Sequence, residues 1–121
     1  MAKLFITTST GPSDPTRASV PLHIALNGAV KSGVDVAVAF AGDGAEVLKP
    51  AVYKTLRGIG IPAMAELMAG LAQAKVRFYV CKGCAEARGV SQPTIEGVEW
   101  TFITPPDYVK LVMEAERVLT F

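Results

Sequence analysis

Short, almost continuous apolar runs alternate with helical patterns along this chain, and this alternation limits its possible folds more than any other feature. The runs Lys3–Thr8 (KLFITT) and Val34–Phe40 (VDVAVAF) contain many β-branched residues, which is typical of strands buried on both faces of a sheet. Between them, apolar residues recur at helical spacing from Ala18 to Val30, and Gly33 follows as a C-cap. This order predicts a βαβ unit with parallel strands.

The same alternation continues to the end of the sequence. Pro21 predicts that the first helix begins near Ser19 or bends there. The later predicted elements are, in chain order, a turn at Ala41–Gly44 (AGDG), a short helix at Ala45–Lys49, a helix opened by Pro62, a strand at Val76–Val80, a strand at Val98–Ile103, a helix opened by Pro105 and Pro106, and a strand at Val118–Phe121.

These elements predict an α/β fold with one doubly wound, mostly parallel sheet of five strands and helices on both faces. The length of 121 residues suits a single domain over residues 1–121. In such folds, ligands bind outside the carboxyl ends of the strands. Residues 8–16, 41–44 and 81–84 all follow predicted strands, so we expect them to meet at one edge of the sheet.

Charge and hydropathy exclude several classes of partner. Twelve Lys plus Arg against eleven Asp plus Glu give a net charge of +1, which provides no basic surface for nucleic acid or anionic lipid. The amino-terminal MAKLFITTST lacks the pattern of a secretory signal, and no apolar run approaches the roughly 20 residues of a membrane span. We therefore expect a cytoplasmic protein that contacts neither nucleic acid nor membrane.

The segment VCKGCAEARGV contains both cysteines of the chain, Cys81 and Cys84, where a predicted strand leads straight into a helix. Unpaired amides at a helix start favour negative charge, and so do the Lys82 ammonium and the Arg88 guanidinium. Gly83 lets the backbone approach closely, so that several N–H groups surround an anionic sulfur. This pattern predicts a reactive thiolate at Cys81.

The two thiols are also compatible with less reactive roles. Free cysteines often act simply as small, buried, apolar residues. For Cys84 this explanation is as good as a chemical role, whereas for Cys81 it is the weaker explanation. A thioredoxin-like Cys-x-x-Cys normally follows an early strand rather than the third one. Structural zinc needs four ligands, and only Cys81, Cys84 and His23 offer nitrogen or sulfur, so we expect no metal and no cofactor.

Three further polar residues are candidates for a binding site. Asp43 in AGDG either contacts a bound group or caps the following helix, and the cap is the favoured interpretation. Ser9 belongs to a hydroxyl-rich loop that either binds an anion or is an ordinary loop. Arg88 either pairs with a carboxylate near its helix or faces the sulfur, with the ion pair slightly favoured.

The chain resembles the DsrE/DsrF-like sulfur-relay proteins, a family that includes the TusD-type subunits of tRNA thiolation systems. The best marker is a cysteine after the third long strand that is followed seven and eight residues later by Arg-Gly, here Cys81, Arg88 and Gly89. A second marker is the closing ERVLTF. The early strand, its TGPSDPTRA loop and the small-residue helix behind it are weaker markers.

This resemblance implies a flavodoxin-like fold, assembly into homotrimers or homohexamers, and Cys81 as the sulfur-accepting residue. It implies that the sulfur is carried as a persulfide, arrives from a rhodanese-like or TusA-like partner, and leaves to another acceptor by attack of a thiolate on sulfur. Cys84 departs from the TusD-type pattern, although other members of the broader family have a Cys-x-x-Cys pair. It leaves open a dithiol role, in which Cys84 resolves the Cys81 persulfide and releases sulfide.

Two functions of different classes follow. One is a sulfur carrier or sulfurtransferase that acts through Cys81. The other is a non-catalytic oligomeric module with the same fold that binds a small anion or a partner at the same edge of the sheet.

Overall fold

A five-stranded, all-parallel sheet forms the centre of the computed structural model, which describes residues 2–91 and 95–121. Its strands are β1 (Leu4–Thr8), β2 (Val36–Phe40), β3 (Arg77–Cys81), β4 (Glu99–Ile103) and β5 (Arg117–Thr120), and they lie in the order β4-β3-β2-β1-β5. The helices are α1 (Pro15–His23), α2 (Pro50–Tyr53), α3 (Met64–Gln73), α4 (Lys82–Ala87) and α5 (Pro105–Glu114). The predicted fold class, a doubly wound α/β sheet with helices on both faces, is confirmed.

The two faces of the sheet are covered unequally. Helices α1, α3 and α4 pack on one face around fully buried residues such as Phe40, Phe78 and Leu67. On the other face, Phe5, Ala37 and Ala39 pack against residues of α5 and their neighbours. This asymmetry follows from the strand order, because the three connections from β1 to β4 run in one direction and only the last one, through α5, returns past β1. Parallel crossovers of one hand that run in opposite directions lie on opposite faces of a sheet.

The first helix begins earlier than the sequence predicted. Asp14 caps it by accepting a hydrogen bond from the amide of Arg17 at 3.1 Å, and Pro15 occupies the first turn, where a missing N–H costs nothing. Pro21 lies inside the helix, which then widens into a π-helical turn over Ile24–Ala29. The expected start near Ser19 is therefore wrong, whereas the predicted C-cap is confirmed, since Gly33 has φ of 73°.

The segment after β2 also differs from its prediction. A 3₁₀-helix spans Gly42–Leu48, so it begins inside the predicted turn and before the predicted helix Ala45–Lys49. Pro50 then begins α2. Pro105 and Pro106 occupy the first turn of α5 as predicted. Within the described residues, no helix is long and apolar enough to cross a membrane.

The carboxyl ends of the strands meet at one edge, as predicted for residues 8–16, 41–44 and 81–84. The amide of Ala41 donates to the carbonyl of Thr8 at 3.0 Å, which ties the loop after β2 to the end of β1. A Cβ atom built on Gly11 would lie 2.6 Å from the carbonyl oxygen of Asp43, and one on Gly44 would lie 2.7 Å from that of Thr8. The two loops are packed so closely that both positions require glycine.

Candidate functional site

The two thiols lie where β3 passes directly into α4. Cys81 is the last residue of β3 and the N-cap of α4, and Cys84 lies in the first turn of that helix. Positions three residues apart occupy the same side of a helix, so the two sulfur atoms meet, and the Cys81 thiol donates a hydrogen bond to the Cys84 sulfur. Both side chains are half-buried and both cysteines are free thiols, so the pair is accessible for chemistry.

Cys84 is the more acidic member of this pair. The hydrogen bond from Cys81 is the main cause that lowers the pKa of Cys84, and the amide of Gly42 and the positive charge of Arg88 lower it further. Partial burial acts in the opposite direction but is outweighed. A thiolate at this site therefore resides on Cys84, held between the end of β3 and the loop that follows β2.

Cys81 behaves differently from the sequence prediction. Burial raises the pKa of Cys81, and so do its hydrogen bond to Cys84 and the negative charge on that sulfur. The amides of Gly83 and Cys84 lower it, but the side chain of Cys81 makes no capping hydrogen bond to the helix and this effect is smaller. The raised pKa favours a protonated Cys81 that donates to Cys84, which differs from the thiolate expected at Cys81.

Arg88 connects α4 to the loop after β2. Its guanidinium donates to the carbonyl of Cys84 at 3.0 Å and to the carboxylate of Asp43 at 2.7 Å. The Asp43 side chain is largely exposed while that of Arg88 is mostly covered, so the carboxylate reaches in from solvent to hold the cation beside the thiol. The ion pair that the sequence slightly favoured is thus present, and the positive charge of Arg88 acts on Cys84.

The favoured role of Asp43 as a helix cap is wrong. The residue at the N-cap of the 3₁₀-helix is Ala41, and no side chain caps that end. Asp43 lies inside the helix, where its carboxylate accepts from Arg88. Asp43 and Arg88 are 45 positions apart in the sequence, so local patterns did not show this ion pair and favoured a helix cap instead.

The remaining predicted site residues contribute less. Lys82 is exposed on α4, and the groups that act most strongly on the two thiols do not include it. Gly83 provides an amide that favours a Cys81 thiolate, but a Cβ atom on it would meet nothing within 4 Å, so the expected close backbone approach is not found there. Ser9 donates its amide to the carbonyl of Phe121 at 3.0 Å and thereby joins the loop after β1 to the end of β5.

His23 lies away from the thiols. Its Nδ1 is 2.9 Å from the side-chain amide nitrogen of Asn27, one turn further along the same helix. His23 thus has a hydrogen-bonding partner within its own helical segment. Among the described residues, no group of three or more His, Cys, Asp or Glu side chains is arranged to hold a metal ion.

An apolar cleft adjoins Cys81 on the face of the sheet that α5 covers. It encloses about 300 Å³, and its lining consists of Ala41, Cys81, Ile103, Thr104, Pro105, Tyr108 and Val109. Ile103 pairs with Cys81 in the parallel register of β3 and β4, and paired residues of parallel strands point to the same face. We refer to these seven residues as the Cys81 cleft.

Sequence reasoning missed three parts of this site. The amide of Gly42 acts on Cys84, Gly11 packs against Asp43, and the start of α5 lines the Cys81 cleft. The glycines in AGDG and TGPSDP were visible as turn signals, but their partners lie far away in the sequence. The contribution of α5 depends on a crossover whose direction no local pattern shows.

Comparisons with known proteins agree with this description. The model of the DsrE/DsrF-like family matches residues 2–121. A solved structure of the ychN protein from E. coli superposes with a TM-score of 0.78 at 22% sequence identity, and the alignment covers 100% of both chains. This likeness shows a shared fold. No curated protein matches the sequence.

Proposed function

The chain belongs to the DsrE/DsrF-like family, and from this premise we propose that it carries sulfane sulfur as a persulfide on Cys81. The observation that carries the proposal is the contact between two free thiols of opposite pKa shift at the end of β3. Two buried apolar cysteines without a chemical role would not need the Gly42 amide and the Arg88 guanidinium beside one of them.

The hydrogen bond between the two thiols gives each of them a distinct role in the proposed reaction. Cys81 lines an open cleft, so it is the residue that meets an incoming sulfur donor. Cys84 accepts the Cys81 proton through their hydrogen bond and thereby generates the attacking thiolate. The Cys81 sulfur attacks the terminal sulfur of the donor, the S–S bond of the donor breaks, and the donor leaves as a thiol once it receives that proton.

Two routes then unload the protein. An acceptor thiolate attacks the outer sulfur of the Cys81 persulfide and leaves with it, which restores the Cys81 thiol. Alternatively, the Cys84 thiolate attacks the inner sulfur, so that a Cys81–Cys84 disulfide forms and hydrosulfide departs. The lowered pKa of Cys84 favours the second route whenever no acceptor is bound.

A rhodanese-like or TusA-like protein is the proposed donor or acceptor, and a homotrimer or homohexamer is the proposed assembly. The edge strand β5 supports assembly, because all four of its residues are exposed, and Val118 and Leu119 are among the large apolar ones. Sedimentation equilibrium tests this directly. A monomer at micromolar concentration would refute the assembly.

Sulfur loading tests the function itself. We expect wild-type protein incubated with polysulfide to accept one sulfur atom on Cys81. Whole-protein and peptide mass analysis with and without reductant should find it either as the persulfide or, once Cys84 has resolved it, as the Cys81–Cys84 disulfide with released sulfide. Cys81→Ser should abolish loading, while Cys84→Ser should load and hold the persulfide longer because the resolving thiol is missing. These variants are matched controls for each other, since the chain has only two cysteines.

The outcome separates the two functions that the sequence left open. Equal loading of wild type and Cys81→Ser would refute the assignment of Cys81. Thiols that react no faster than a free thiol at neutral pH, together with no loading, would favour a non-catalytic module that binds a small anion or a partner.

A further inference from the structure

The two thiols face opposite chemical environments. Cys84 contacts the amide of Gly42 and the positive charge of Arg88, and it also packs against the main apolar core. Cys81 lines the Cys81 cleft, whose other members are apolar side chains, a proline ring, a tyrosine and the Thr104 residue. An incoming molecule that reaches Cys81 therefore passes an apolar surface and not the cation.

Within the part of the chain that the structure describes, no charged side chain lines this cleft. The hydroxyl and amide of Thr104 both donate to the Asp107 carboxylate, at 2.8 and 2.9 Å, so they are already engaged with the start of α5. An anionic group that enters the cleft would lose its hydration without gaining a partner, which is costly. An apolar group would instead release water from apolar surface, which is favourable.

We propose that the Cys81 cleft binds the apolar organic group of a small persulfide, R–S–SH, and so selects the sulfur donor. The volume of about 300 Å³ lies at the lower end of the range for small-molecule sites, which suits a substituent of the size of one benzyl group. The inference rests on the proposed function, because it names the class of donor that delivers sulfur to Cys81.

The reaction balances without an added oxidant or reductant. The Cys81 thiol passes its proton to Cys84, and the Cys81 sulfur then bonds to the terminal sulfur of R–S–SH while the S–S bond of the donor breaks. The leaving R–S⁻ takes the proton from Cys84 and departs as R–SH. Cys81 then carries –S–SH, and Cys84 is again the thiolate.

Two pairs of reagents that differ in one carboxylate test the proposal. Benzyl and 4-carboxybenzyl methanethiosulfonate modify a thiol by the same chemistry, and they need no persulfide function. Both modification rates are measured on the Cys84→Ser variant, in which Cys81 is the remaining thiol. The ratio of the benzyl rate to the 4-carboxybenzyl rate is then divided by the same ratio measured with 2-mercaptoethanol. Benzyl and 4-carboxybenzyl hydropersulfide are then compared as sulfur donors to the wild-type protein, and loading is counted as the Cys81 persulfide plus the Cys81–Cys84 disulfide that forms when Cys84 resolves it.

Val109 and Met113 provide the matched variants. Both lie on α5, one turn apart, and both are exposed, at 58% and 77%. Only Val109 lines the cleft. The substitutions Val109→Asn and Met113→Asn thus place the same polar side chain at two exposed apolar positions of the same helix, and thermal melting checks that each variant is folded.

The expected result is a normalised rate ratio of about tenfold in favour of the benzyl reagent, as one apolar group in a pocket typically gives. Val109→Asn should lower this ratio to roughly twofold or threefold, and Met113→Asn should leave it unchanged. A ratio of one, or equal effects of the two substitutions, would overturn the proposal. So would modification rates that rise on dilution, because they would show that a second copy of the chain covers the cleft.

The two pairs of reagents also keep the inference separate from the function on which it rests. If both hydropersulfides load Cys81 equally well, sulfur transfer survives and the apolar selection is wrong. If neither loads Cys81 while the methanethiosulfonates still discriminate, the cleft binds apolar groups but the proposed sulfur carrier is refuted, and with it this class of donor.

Discussion

Replacing Gly11 by alanine should damage both the stability of the protein and the acidity of Cys84. Gly11 lies in the loop after β1, and its ideal Cβ atom would lie 2.6 Å from the carbonyl oxygen of Asp43 and 2.9 Å from its Cβ atom. Asp43 holds Arg88 beside the thiols, and the neighbouring Gly42 provides an amide to Cys84. One added methyl group therefore pushes on the loop that supports Cys84.

The structure sets the size of the effect. Real Cβ contacts essentially never fall below 3.0 Å, so the two loops must separate by roughly 0.4 Å or more. Such overpacking costs about 1–3 kcal/mol, and the reduced freedom of the unfolded chain offsets about 0.4–1 kcal/mol of it. We expect a net loss of about 1–2 kcal/mol in the free energy of unfolding, or roughly 4–8 °C in Tm for a chain of this size.

Urea unfolding and the pH dependence of alkylation measure the two effects. The rate of iodoacetamide modification at Cys84, located by peptide mass mapping, should show its midpoint at higher pH in Gly11→Ala. The lost amide and cation no longer favour the thiolate, so the pKa of Cys84 rises towards its ordinary value. At a pH below that midpoint, the variant should react more slowly than wild type.

Gly83→Ala is the matched control, because it adds the same methyl group near the same thiols. Its Cβ atom would meet nothing within 4 Å, and the position lies in the first turn of α4. We expect a stability equal to that of wild type or higher by up to about 1 kcal/mol, with an unchanged alkylation midpoint. If Gly11→Ala matched Gly83→Ala in both measurements, the supporting role of the loop contact would be wrong.

Two further predictions concern charged residues. Arg88→Gln should raise the pKa of Cys84 and move its alkylation midpoint to higher pH, because the guanidinium favours the thiolate, whereas the matched change Lys82→Gln should leave the midpoint in place. An equal shift in both would contradict the role of Arg88. Asp107→Ala should lower the Tm by removing the acceptor for the amide and hydroxyl of Thr104. These bonds hold the pKa of Asp107 below its ordinary value of 3.8. The stabilisation that they give is therefore complete above pH 3.8 and disappears as the pH falls through the lower folded-state pKa. The melting curves of wild type and Asp107→Ala should converge at that low pH. A difference in Tm that persists in strong acid would refute this role of the Asp107 carboxylate.

Most strands and helices were predictable because their signals are local. The apolar run that predicted Val34–Phe40 corresponds to the strand Val36–Phe40, and Gly33 ends the preceding helix as expected. Of the two alternatives that Pro21 suggested for α1, the start near Ser19 is not found, since the N-cap bond of Asp14 and the packing of the helix outweigh one missing amide donor. Propensity at a single residue yields to tertiary contacts in such cases.

The site was predictable in position but not in its electrostatics. The strand-to-helix transition located Cys81 and Cys84 correctly at the carboxyl edge of the sheet. Which thiol is more acidic depends on the burial of Cys81 and on the contact of Cys84 with Gly42, and neither is encoded by the spacing of the motif. The Arg88–Asp43 pair was not foreseen as such, because its two residues are 45 positions apart.

The placement of β5 beside β1 has a consequence for biosynthesis. A nascent chain can pair the first four strands in their order of emergence, but β1 keeps one unsatisfied backbone edge until residues 117–120 leave the ribosome. An open strand edge of this kind is a template for association with other chains. Slow translation of the final third should therefore prolong the period in which the newly made protein is most prone to aggregate.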